Sequence, residues 1–510
     1  MTSEINFILA ISNNNIIGIN NSIPWNIKDD LQYFKHLTSE TSSAIIMGYK
    51  TFVSLNKKPL SKRLNIVITT KYETYQNHND LLFLGSVKNA IYYLNILSVK
   101  NIWIIGGSSL YEQINDIKPN CVYLTRIVID IPEIETTIKL SDQFFQYLEK
   151  QYMLCTCKVK YCDDTISDKQ IECHFNQYKI IQPPIPIPIP IPNLNTDANN
   201  DELQYINLLK ETILNGDYRQ CRNDYIWSNF GSQLTFNLKN GYPLLTSKKV
   251  PLRLIFEELM FFIRGYTDNK ILQDKNVSIW NSNTTKEFIE SNDKKYQNSD
   301  RYLDVNDMGP IYGYQWRHFN AEYTMKNSPI NQYHYESKGI DQLNRVIQEL
   351  INNPYSRRIM MTTYNPLQVD NGVLYPCHSI ILQFYTKLNK QNNNLAISIK
   401  MYQRSADLFL GLPFSIASTS LLLILICDHL NKIQDKFIYE PDIMIITLGD
   451  QHIYQSHLNA VLTQLQNNLY CFPKLEIIDT DGIMRIEDYQ WDNISVNNKS
   501  NQTIKANMIT

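Results

Sequence analysis

The segment 375–378, Tyr-Pro-Cys-His, fixes a cysteine between a proline and a histidine. A cysteine attacks as its thiolate, and because the ordinary thiol pKa is about 8.5, a nucleophilic cysteine needs a nearby cation. The block 402–414, YQRSADLFLGLPF, supplies Arg404 for that purpose, together with Ser405 and Asp407. Cys377 is therefore a candidate for covalent catalysis, with Arg404 as the cation beside it.

Length and composition limit the classes of protein to which the chain can belong. At roughly 100–200 residues per domain, 510 residues predict two or three domains, and a hydrophobic fraction of 43% predicts globular folds. The net charge of -2 argues against general affinity for nucleic acid, which requires a basic face. An anionic ligand would have to be held by local clusters of arginine.

The nine cysteines are odd in number and scattered, which predicts reduced thiols in a cytoplasmic compartment and no disulfides. The N-terminus has no basic region before its apolar run, so we expect no signal peptide. The apolar run 421–427 is shorter than the about 20 residues that cross a bilayer, so we expect no membrane span. We also expect no metal, since a packed hairpin lacking a C-x-x-C pair explains the cluster of Cys155, Cys157, Cys162, Cys173 and His174.

A segment in which proline alternates with isoleucine, 183–192, divides the chain. Proline at every second position excludes a helix and removes backbone donors, so we expect polyproline II conformation. Two interpretations remain open: a disordered tether, or a semi-rigid spacer whose isoleucines pack on one domain. Either one marks a boundary, and we predict a first domain at 1–181, a linker at 182–200 and a second domain at 201–510.

Apolar strands alternate with helices in the first domain, which predicts an α/β fold with a mainly parallel sheet flanked by helices. The predicted strands are 5–12, 44–47, 65–69, 101–105 and 122–127, the predicted helices 29–37 and 88–97, and the final antiparallel pair 156–160 and 171–179. The second domain is predicted to be α+β. Its predicted helices are 251–264, 342–351 and a long apolar helix after Pro413, and its predicted strands are 359–363, 380–385, 396–402 and 444–448.

Ordered motifs extend through the second domain. They are 242–249 (YPLLTSKK), 257–259 (EEL), 312–318 (YGYQWRH), 357–358 (RR), 365–366 (NP), 449–454 (GDQHIY) and 504–505 (IK). With the blocks around Cys377 and Arg404, this order resembles thymidylate synthase from about residue 201 to residue 510. The resemblance implies that Cys377 adds to C6 of a uracil nucleotide, that C5 then attacks the methylene group of a folate, and that dTMP and dihydrofolate are formed.

The resemblance also implies roles for individual residues. Arg404 would lower the pKa of Cys377, and Glu258 would organise waters near O4 and move protons. A phosphate dianion needs several guanidinium groups, and the adjacent pair Arg357 and Arg358 would come from the other subunit of a homodimer. The dUMP site would comprise Arg222, Arg357, Arg358, His378, Gln403, Arg404, Ser405, Asp407, Ser415, His452 and Tyr454, and the folate would meet Asp407 and Trp280.

Two positions depart from the usual thymidylate synthase pattern. Ser415 stands where the family usually has an asparagine that reads N3 and O4 of uracil, and one hydroxyl cannot make the two bonds of an amide. Losing one paired contact typically costs about 1–3 kcal/mol, so we expect weaker discrimination of uracil from cytosine. Arg222 lies one residue closer to Phe230-Gly231 than usual, which places Cys221 at the common arginine position.

In the first domain an aspartate lies on the apolar side of a predicted helix. Asp30, Phe34 and Leu37 fall at positions i, i+4 and i+7 and therefore share one face. Taken alone, this pattern favours the ordinary explanation that Asp29 and Asp30 stabilise the first turn of the helix through its dipole.

Two glycine-containing turns, 47–51 and 104–109, place small residues where helices begin, as in phosphate-binding turns, although each is a weak signal alone. The motifs around these two turns strengthen this interpretation. The ordered set is Gly18, Pro24-Trp25, Asp30, Gly48-x-Lys50-Thr51, Pro59-Leu60-x-x-Arg63, Gly106-Gly107 and Tyr123-Leu124-Thr125. This order resembles dihydrofolate reductase over roughly residues 4–180.

That resemblance implies reduction of dihydrofolate by NADPH, with an acid beside the pterin that supports protonation at N5. Asp30 would be the acid, Thr125 would hold it, and Arg63 would bind the α-carboxylate of folate. The folate site would comprise Asp30, Phe34, Leu55, Leu60, Arg63 and Thr125. The NADPH site would comprise Ala10, Ile17, Gly18, Gly48, Lys50, Thr51, Thr69, Thr70, Gly106, Gly107 and Tyr111. Lys50 and Lys71 are the candidate cations for the 2′-phosphate, since Tyr49 stands where the family often has an arginine.

Together the two resemblances imply a bifunctional enzyme, because one reaction forms the dihydrofolate that the other reduces. Three alternatives remain open: the second domain is a dCMP hydroxymethylase, as Ser415 suggests; one domain is inactive; or the second domain binds nucleotide or RNA without catalysis. We expect dUMP and dihydrofolate as substrates, with NADPH as cofactor and 5,10-methylenetetrahydrofolate as co-substrate. We also expect a homodimer formed through the second domain, and no membrane or specific nucleic-acid partner.

Overall fold

The computed structural model describes residues 3–78, 80–181, 199–221, 224–296, 303–323, 339–478, 481–497 and 499–507, with side chains described throughout except at 292–296. The chain forms two compact units, residues 1–191 and 192–510. Of the predicted linker, residues 182–198 lie outside the described ranges, so its conformation stays a prediction.

The first unit is built on a largely parallel sheet. Its strands are β1 (Glu4–Ser12), β2 (Ile16–Ile19), β3 (Ser43–Gly48), β4 (Leu64–Ile68), β5 (Leu81–Leu84), β6 (Asn101–Ile104), β7 (Cys121–Ile127), β8 (Thr137–Lys139), β9 (Tyr152–Asp164) and β10 (Lys169–Ile180). The main sheet has the order β5-β4-β3-β6-β1-β7-β10-β9, and within it only the pairings of β10 with β7 and β9 are antiparallel. β3 is buried at nearly every position, as expected of a central strand covered on both faces.

Helices flank this sheet. They are α1 (Lys28–Thr38), α2 (Tyr49–Ser54), α3 (Val87–Ile96), α4 (Ser108–Tyr111), α5 (Ile114–Ile117) and α6 (Asp142–Gln151). A core cluster that includes Ile45, Met47 and Phe83 fills the space between β3, β4, β5 and the helices. Phe34 of α1 and Leu60 pack against this cluster, so the core fixes the position of both side chains.

The second unit contains a mixed sheet. Its strands are β11 (Asp217–Gln220), β12 (Tyr225–Asn237), β13 (Met360–Thr362), β14 (Ile381–Leu388), β15 (Leu395–Asp407), β16 (Tyr439–Tyr454), β17 (Leu475–Ile477) and β18 (Ile494–Val496). The main sheet has the order β11-β12-β16-β15-β14-β13, in which only β15 and β16 run parallel. Because β15 and β16 are central, their carboxyl ends bring Asp407 opposite His452.

The helices of the second unit are α7 (Asn200–Asn215), α8 (Leu252–Ile263), α9 (Lys270–Gln273), α10 (Lys286–Tyr296), α11 (Gly313–His318), α12 (Gln342–Asn352), α13 (Gly411–Ile433) and α14 (Leu458–Gln464). By length and composition α13 could cross a membrane, but 72% of its most apolar 18-residue stretch is buried inside the protein. That burial is the environment of a core helix, and α13 packs against β15, β16 and α8.

The predicted fold class is confirmed in both units, and most predicted elements lie within a few residues of the observed ones. The prediction that the long apolar helix follows Pro413 is wrong by two residues, because α13 begins at Gly411 and proline is tolerated in a first turn. The expectation also missed β12, which is 13 residues long. All nine cysteines are free thiols.

Two candidate active sites

Cys377 lies in the loop that precedes β14, and β15 holds this loop through its backbone. The Cys377 carbonyl accepts hydrogen bonds from Arg404 N at 2.8 Å and Ser405 N at 3.3 Å. The Arg404 side chain extends back along the same loop, donating to the carbonyls of Pro376 at 3.2 Å and Tyr375 at 3.3 Å. The predicted proximity of Arg404 and Cys377 is confirmed, and main-chain bonds produce it.

The side chain of Tyr312 contacts Cys377; Tyr312 lies in the motif 312–318, but no role of its own was predicted for it. Its hydroxyl accepts a hydrogen bond from Cys377 N at 3.0 Å and lies 3.4 Å from Cys377 Sγ. The Tyr312 ring is fully buried between Phe262, at a centroid distance of 4.9 Å, and His378, at 4.5 Å. Its backbone φ of 45° is left-handed, which the motif did not reveal.

The charge on Cys377 is decided by opposing effects. Burial raises the pKa of the Cys377 thiol, and the hydrogen bond from Tyr312 and the positive charge of Arg404 lower it. The net direction is upward. Arg404 therefore acts in the predicted direction, but burial outweighs it before a substrate is bound.

A buried carboxyl group, Glu258 of α8, lies close to this loop. Burial raises the pKa of Glu258 to about 7, although the hydrogen bond from Trp280 lowers it. Trp280 Nε1 donates to Glu258 Oε1 at 2.8 Å, so the two predicted residues do meet. His378 is neutral, because burial lowers the pKa of its imidazole to about 4. A carboxyl group that titrates near neutrality suits proton transfer.

His452 is held by a hydrogen-bond network that no sequence motif predicted. Asp450 Oδ1 lies 2.8 Å from His452 Nδ1, and Asp450 Oδ2 accepts from Arg219 Nη2 at 2.8 Å. Ser228 of β12 joins the network through Asp450 Oδ2 at 3.1 Å. Tyr454 packs edge-on against His452, with ring centroids 5.0 Å apart. Only the pairing of β11, β12 and β16 brings these residues together.

Other predicted nucleotide residues are dispersed. Gln403 is buried and donates to the Ser405 carbonyl at 3.1 Å, while its Oε1 has no hydrogen-bond partner among the described residues. Arg222 lies outside the described residues. Arg357 and Arg358 are exposed just before β13 and are not joined to Cys377 by any contact that the structure describes.

Asp407 and Ser415 are both held by local bonds. Asp407 Oδ1 accepts from the backbone N–H groups of Phe409 at 2.9 Å and Leu410 at 3.3 Å. Ser415 is buried, and its hydroxyl donates to the Gly411 carbonyl one turn earlier in α13 at 3.3 Å. A serine bonded to its own helix has little capacity left to read a base.

Asp30 in α1 is the predicted acid of the first unit. Burial raises the pKa of Asp30 to about 6, and the hydrogen bond from Thr125 lowers it. Thr125 of β7 lies opposite Ala10 of β1 in the sheet register. The expectation that Thr125 holds Asp30 agrees with this contact, and the raised pKa favours a functional carboxyl group over a simple first-turn residue.

Arg63 follows the turn that carries Leu60. The fully buried Asn65 clamps this turn: its Oδ1 accepts from Leu60 N at 2.8 Å, and its Nδ2 donates to the carbonyls of Leu60 at 2.9 Å and Arg63 at 2.8 Å. The Arg63 guanidinium donates to the Thr38 hydroxyl at the end of α1. Leu55 packs on the same core cluster as Leu60, so two of the residues expected at the folate site lie on one cluster.

The two glycine-containing turns of the first unit lie side by side. Gly48 N donates to the Gly106 carbonyl at 2.7 Å, and a Cβ on Gly48 would lie 3.6 Å from Gly107 N. A Cβ on Gly106 would lie 2.8 Å from the Tyr111 ring, so only glycine fits there. A Cβ on Gly107 would lie 3.5 Å from the Thr51 hydroxyl. The two turns expected to bind NADPH therefore meet through their backbones, and the Gly48 N–H is already bonded to Gly106.

The other predicted cofactor residues surround these turns. Tyr111 is buried and its hydroxyl donates to the Ile8 carbonyl at 2.7 Å, so its ring supports Gly106 rather than presenting a polar group. Gly18 is buried in β2, with Ile17 half-buried beside it. Thr69 lies half-buried after β4, and Lys50, Thr70 and Lys71 are exposed.

Comparison with known proteins connects both sites to one family. The family model described as dihydrofolate reductase matches residues 4–179, and the one described as thymidylate synthase matches residues 203–510. A bifunctional dihydrofolate reductase-thymidylate synthase of Paramecium tetraurelia is 33% identical, over 96% of this chain and 95% of its own length. The chain belongs to the bifunctional dihydrofolate reductase–thymidylate synthase family.

Further members of this bifunctional family are similar over comparable lengths. One from Arabidopsis thaliana, bifunctional dihydrofolate reductase-thymidylate synthase 1, is 34% identical over 90% of this chain and 88% of its own length. The chain is thus a bifunctional enzyme with NADPH-dependent oxidoreductase and methyltransferase activities, and 5,10-methylenetetrahydrofolate is the co-substrate of the second. The hydroxymethylase and inactive-domain alternatives are not supported.

Proposed function

We propose that Cys377 is the nucleophile of the thymidylate synthase reaction and that Asp30 is the acid of the dihydrofolate reductase reaction. The observation that supports the first assignment is the double contact of Tyr312 with the backbone N–H and the Sγ of Cys377. The observation that supports the second is a carboxyl group with its pKa raised to about 6 beside Thr125.

In the synthase reaction Cys377 Sγ forms a bond to C6 of dUMP, and the electron pair of the C5–C6 double bond moves to C5 and O4. Tyr312 and Arg404 favour the thiolate that begins this step. The N10–methylene bond of the folate opens to give an N5 iminium, C5 bonds to the methylene carbon, and loss of the C5 proton expels N5 as tetrahydrofolate and leaves an exocyclic methylene group on C5. Glu258, with a pKa of about 7, exchanges protons near O4. Hydride transfer from the tetrahydrofolate ring to this methylene carbon forms the methyl group, the C5–C6 double bond is restored as the C6–Sγ bond breaks, and the products are dTMP and dihydrofolate.

In the reductase reaction the protein binds dihydrofolate against Phe34, Leu55 and Leu60, and Asp30 holds the pterin. Asp30 supports the proton that N5 receives, since its pKa is raised toward neutrality. NADPH supplies the hydride when bound at the paired glycine turns. Arg63 binds the α-carboxylate of the glutamate tail through a planar guanidinium.

Two further assignments concern the assembly. The outward face of β13 and β14 exposes Met360 at 45%, Ile381 at 40% and Tyr385 at 64%, which is an apolar face suited to a second copy of the chain. Arg357 and Arg358 are exposed just before β13. We assign this face to a homodimer in which the arginine pair binds the phosphate in the partner's site. Free thiols throughout suit a cytoplasmic location.

A covalent adduct tests the nucleophile. Wild-type protein mixed with 5-fluoro-dUMP and 5,10-methylenetetrahydrofolate should gain the mass of both ligands, and Cys377→Ser should gain neither. Cys471→Ser, which removes an exposed thiol, is the matched control and should label like the wild type. Absence of an adduct in the wild type would refute the assignment.

Mixing of variants tests the shared site. Cys377→Ser and Arg358→Ala homodimers should each show little synthase activity. If the arginine pair acts across the dimer, subunit exchange joins an intact cysteine to an intact arginine pair, and activity returns. A mixture that stays as inactive as its parents would show that each chain supplies its own arginine.

A further inference from the structure

Strand β9 forms an exposed edge of the main sheet in the first unit. It is last in the strand order, beyond β10, and all nine residues of the stretch 153–161 are exposed. Among the described residues, no strand pairs with the outer side of this stretch. An uncovered edge of this kind presents a row of backbone N–H and C=O groups that can pair with another segment of chain.

One face of this edge is apolar. Leu154, Val159 and Tyr161 lie on that face and are exposed at 48%, 51% and 64%. The two lysines of the stretch, Lys158 and Lys160, lie on the opposite face, where Lys160 forms an ion pair with α1. Lysine discourages pairing at a sheet edge, and the apolar face of β9 has none. Apolar surface is therefore available to a segment that docks along β9.

The proline-isoleucine segment has a backbone suited to the outermost position of a sheet. Ile185, Ile187, Ile189 and Ile191 each precede a proline, which biases them toward extended conformation. In an extended chain the N–H groups of successive residues point to opposite sides. The four isoleucine N–H groups therefore share one side, and the prolines, which have no N–H, occupy the other. Such a chain can pair fully with a sheet on one side only.

The segment also begins at the end of the sheet where β9 starts. Ile181 N donates to the carbonyl of Gln151, the residue before β9, at 2.9 Å. Crossing from β10 to the outer side of β9 spans two strand spacings, about 10 Å, which the three residues 182–184 can cover. Residues 185–192 then extend over about 26 Å, parallel to β9, beside the about 30 Å of 153–161.

We propose that residues 185–192 dock along β9 as an outer strand, with the isoleucine N–H groups bonded to the β9 backbone and the apolar side chains covering the exposed edge. The linker is then a spacer that packs on the first domain. Because the outer side of the added strand carries prolines, it cannot pair with a further strand, and the edge is closed. The tether between the two domains is thereby shortened to residues 193–198.

An all-proline variant separates the backbone donors from the stiffness and length of the segment. Ile185→Pro, Ile187→Pro, Ile189→Pro and Ile191→Pro together remove the four N–H groups and keep an extended, apolar spacer. Hydrogen exchange of the full chain, followed by mass spectrometry, should show the amides of 153–161 exchanging about tenfold faster in this variant than in the wild type. Valine at the same four positions keeps the donors and is the matched control, which should exchange like the wild type.

Disulfide trapping locates the segment independently. Single cysteines are introduced at successive positions from 185 to 192, and the full chain is oxidised with diamide, with the native exposed Cys157 of β9 as the partner thiol. Docking in an extended register should give disulfides to Cys157 at alternate positions around one maximum, with yields about tenfold lower at the positions between them. The same scan in a Cys157→Ser background shows which disulfides depend on Cys157.

NADPH-dependent reduction of dihydrofolate by the all-proline variant shows that its first unit is folded. Equal exchange of 153–161 in this variant and the wild type, or disulfide yields without alternation, would overturn the docking and make the segment a tether. Disulfides that join Cys157 of two chains would identify a second copy as the occupant of the edge and would overturn it as well. Faster exchange in the all-proline variant alone, with alternating disulfide yields, supports the docking.

Discussion

Tyr312 contacts Cys377 twice, although the two residues are 65 positions apart in the chain. The hydroxyl accepts from the backbone N–H of Cys377 at 3.0 Å and lies 3.4 Å from the sulfur. A hydroxyl carries one donor and two acceptor sites, so Tyr312 can accept from the Cys377 N–H and still donate to the sulfur when Cys377 is a thiolate. Tyr312 therefore stabilises the charged nucleophile against the cost of burial, together with Arg404.

Replacing Tyr312 should slow the reaction of Cys377 with the nucleotide. In Tyr312→Phe the thiolate loses a donor, so the pKa of Cys377 rises and the rate of 5-fluoro-dUMP adduct formation at neutral pH falls about tenfold to a hundredfold. Stopped-flow measurement over a range of pH should show the rate recovering as pH increases. Tyr314→Phe is the control, because that hydroxyl bonds to the Ala321 carbonyl at 3.0 Å and should leave the adduct rate unchanged. Equal rates for Tyr312→Phe and wild type would exclude this role.

Asp30 should set the pH dependence of the reductase. Since its pKa in the free protein is about 6, kcat/KM for dihydrofolate should decrease as pH rises through that value and the proton is lost. Asp30→Asn should remove this dependence and reduce the rate by about 10²–10⁴. Asp29→Asn alters the neighbour, which pairs with Lys160 on the surface, and should keep the wild-type profile. Matching profiles for Asp30→Asn and wild type would contradict the assignment.

Trp280 should lower the pKa of Glu258 through its hydrogen bond. Its indole N–H lowers the pKa of Glu258, and Trp280→Phe removes that hydrogen bond, so the pKa should move up from about 7. If the synthase reaction needs ionised Glu258, kcat/KM for dUMP rises with pH as Glu258 loses its proton, and this rise should move to higher pH in Trp280→Phe. Trp316→Phe serves as control, since the Trp316 indole N–H has no hydrogen-bond partner among the described residues. A limb that stays in place would show that another group titrates there.

An asparagine in place of Ser415 should sharpen the choice between uracil and cytosine. The hydroxyl is bonded within α13 at 3.3 Å, so we expect Ser415→Asn to raise the ratio of kcat/KM for dUMP to that for dCMP by about tenfold, the value of one amide pairing. Ser415→Ala is the control. Ser420→Asn is not equivalent to Ser415→Asn, because Ser420 is fully buried. A ratio that does not change in Ser415→Asn would mean that other groups read the base.

Glu202 should matter for stability rather than for chemistry. This fully buried carboxylate accepts from Thr246 N at 2.9 Å, the Thr246 hydroxyl at 2.6 Å and Ser247 N at 2.8 Å. Glu202→Gln places an amide donor against these donors and should lower the free energy of unfolding by about 1–3 kcal/mol, measured by urea denaturation. Glu211→Gln on the exposed face of α7 should change it little. Equal stability of the two variants would refute this account.

Much of the candidate chemistry could be predicted from the sequence. Cys377, Asp30 and Glu258 lie in ordered local motifs, and the hydrophobic period around them predicted the elements that carry them. The alternation of strands and helices in the first domain likewise predicted its parallel sheet, because each strand and helix is a local property of the chain.

Only the tertiary structure decided which side chains act on these residues. Tyr312 meets Cys377, Arg219 meets Asp450 beside His452, and Asn507 meets His457, across separations of 50 to 231 residues. Such contacts depend on strand register, on buried ring packing and on a left-handed backbone, none of which has a local pattern in the sequence. The sequence determined which groups are present, and burial together with long-range pairing determined their charge and their partners.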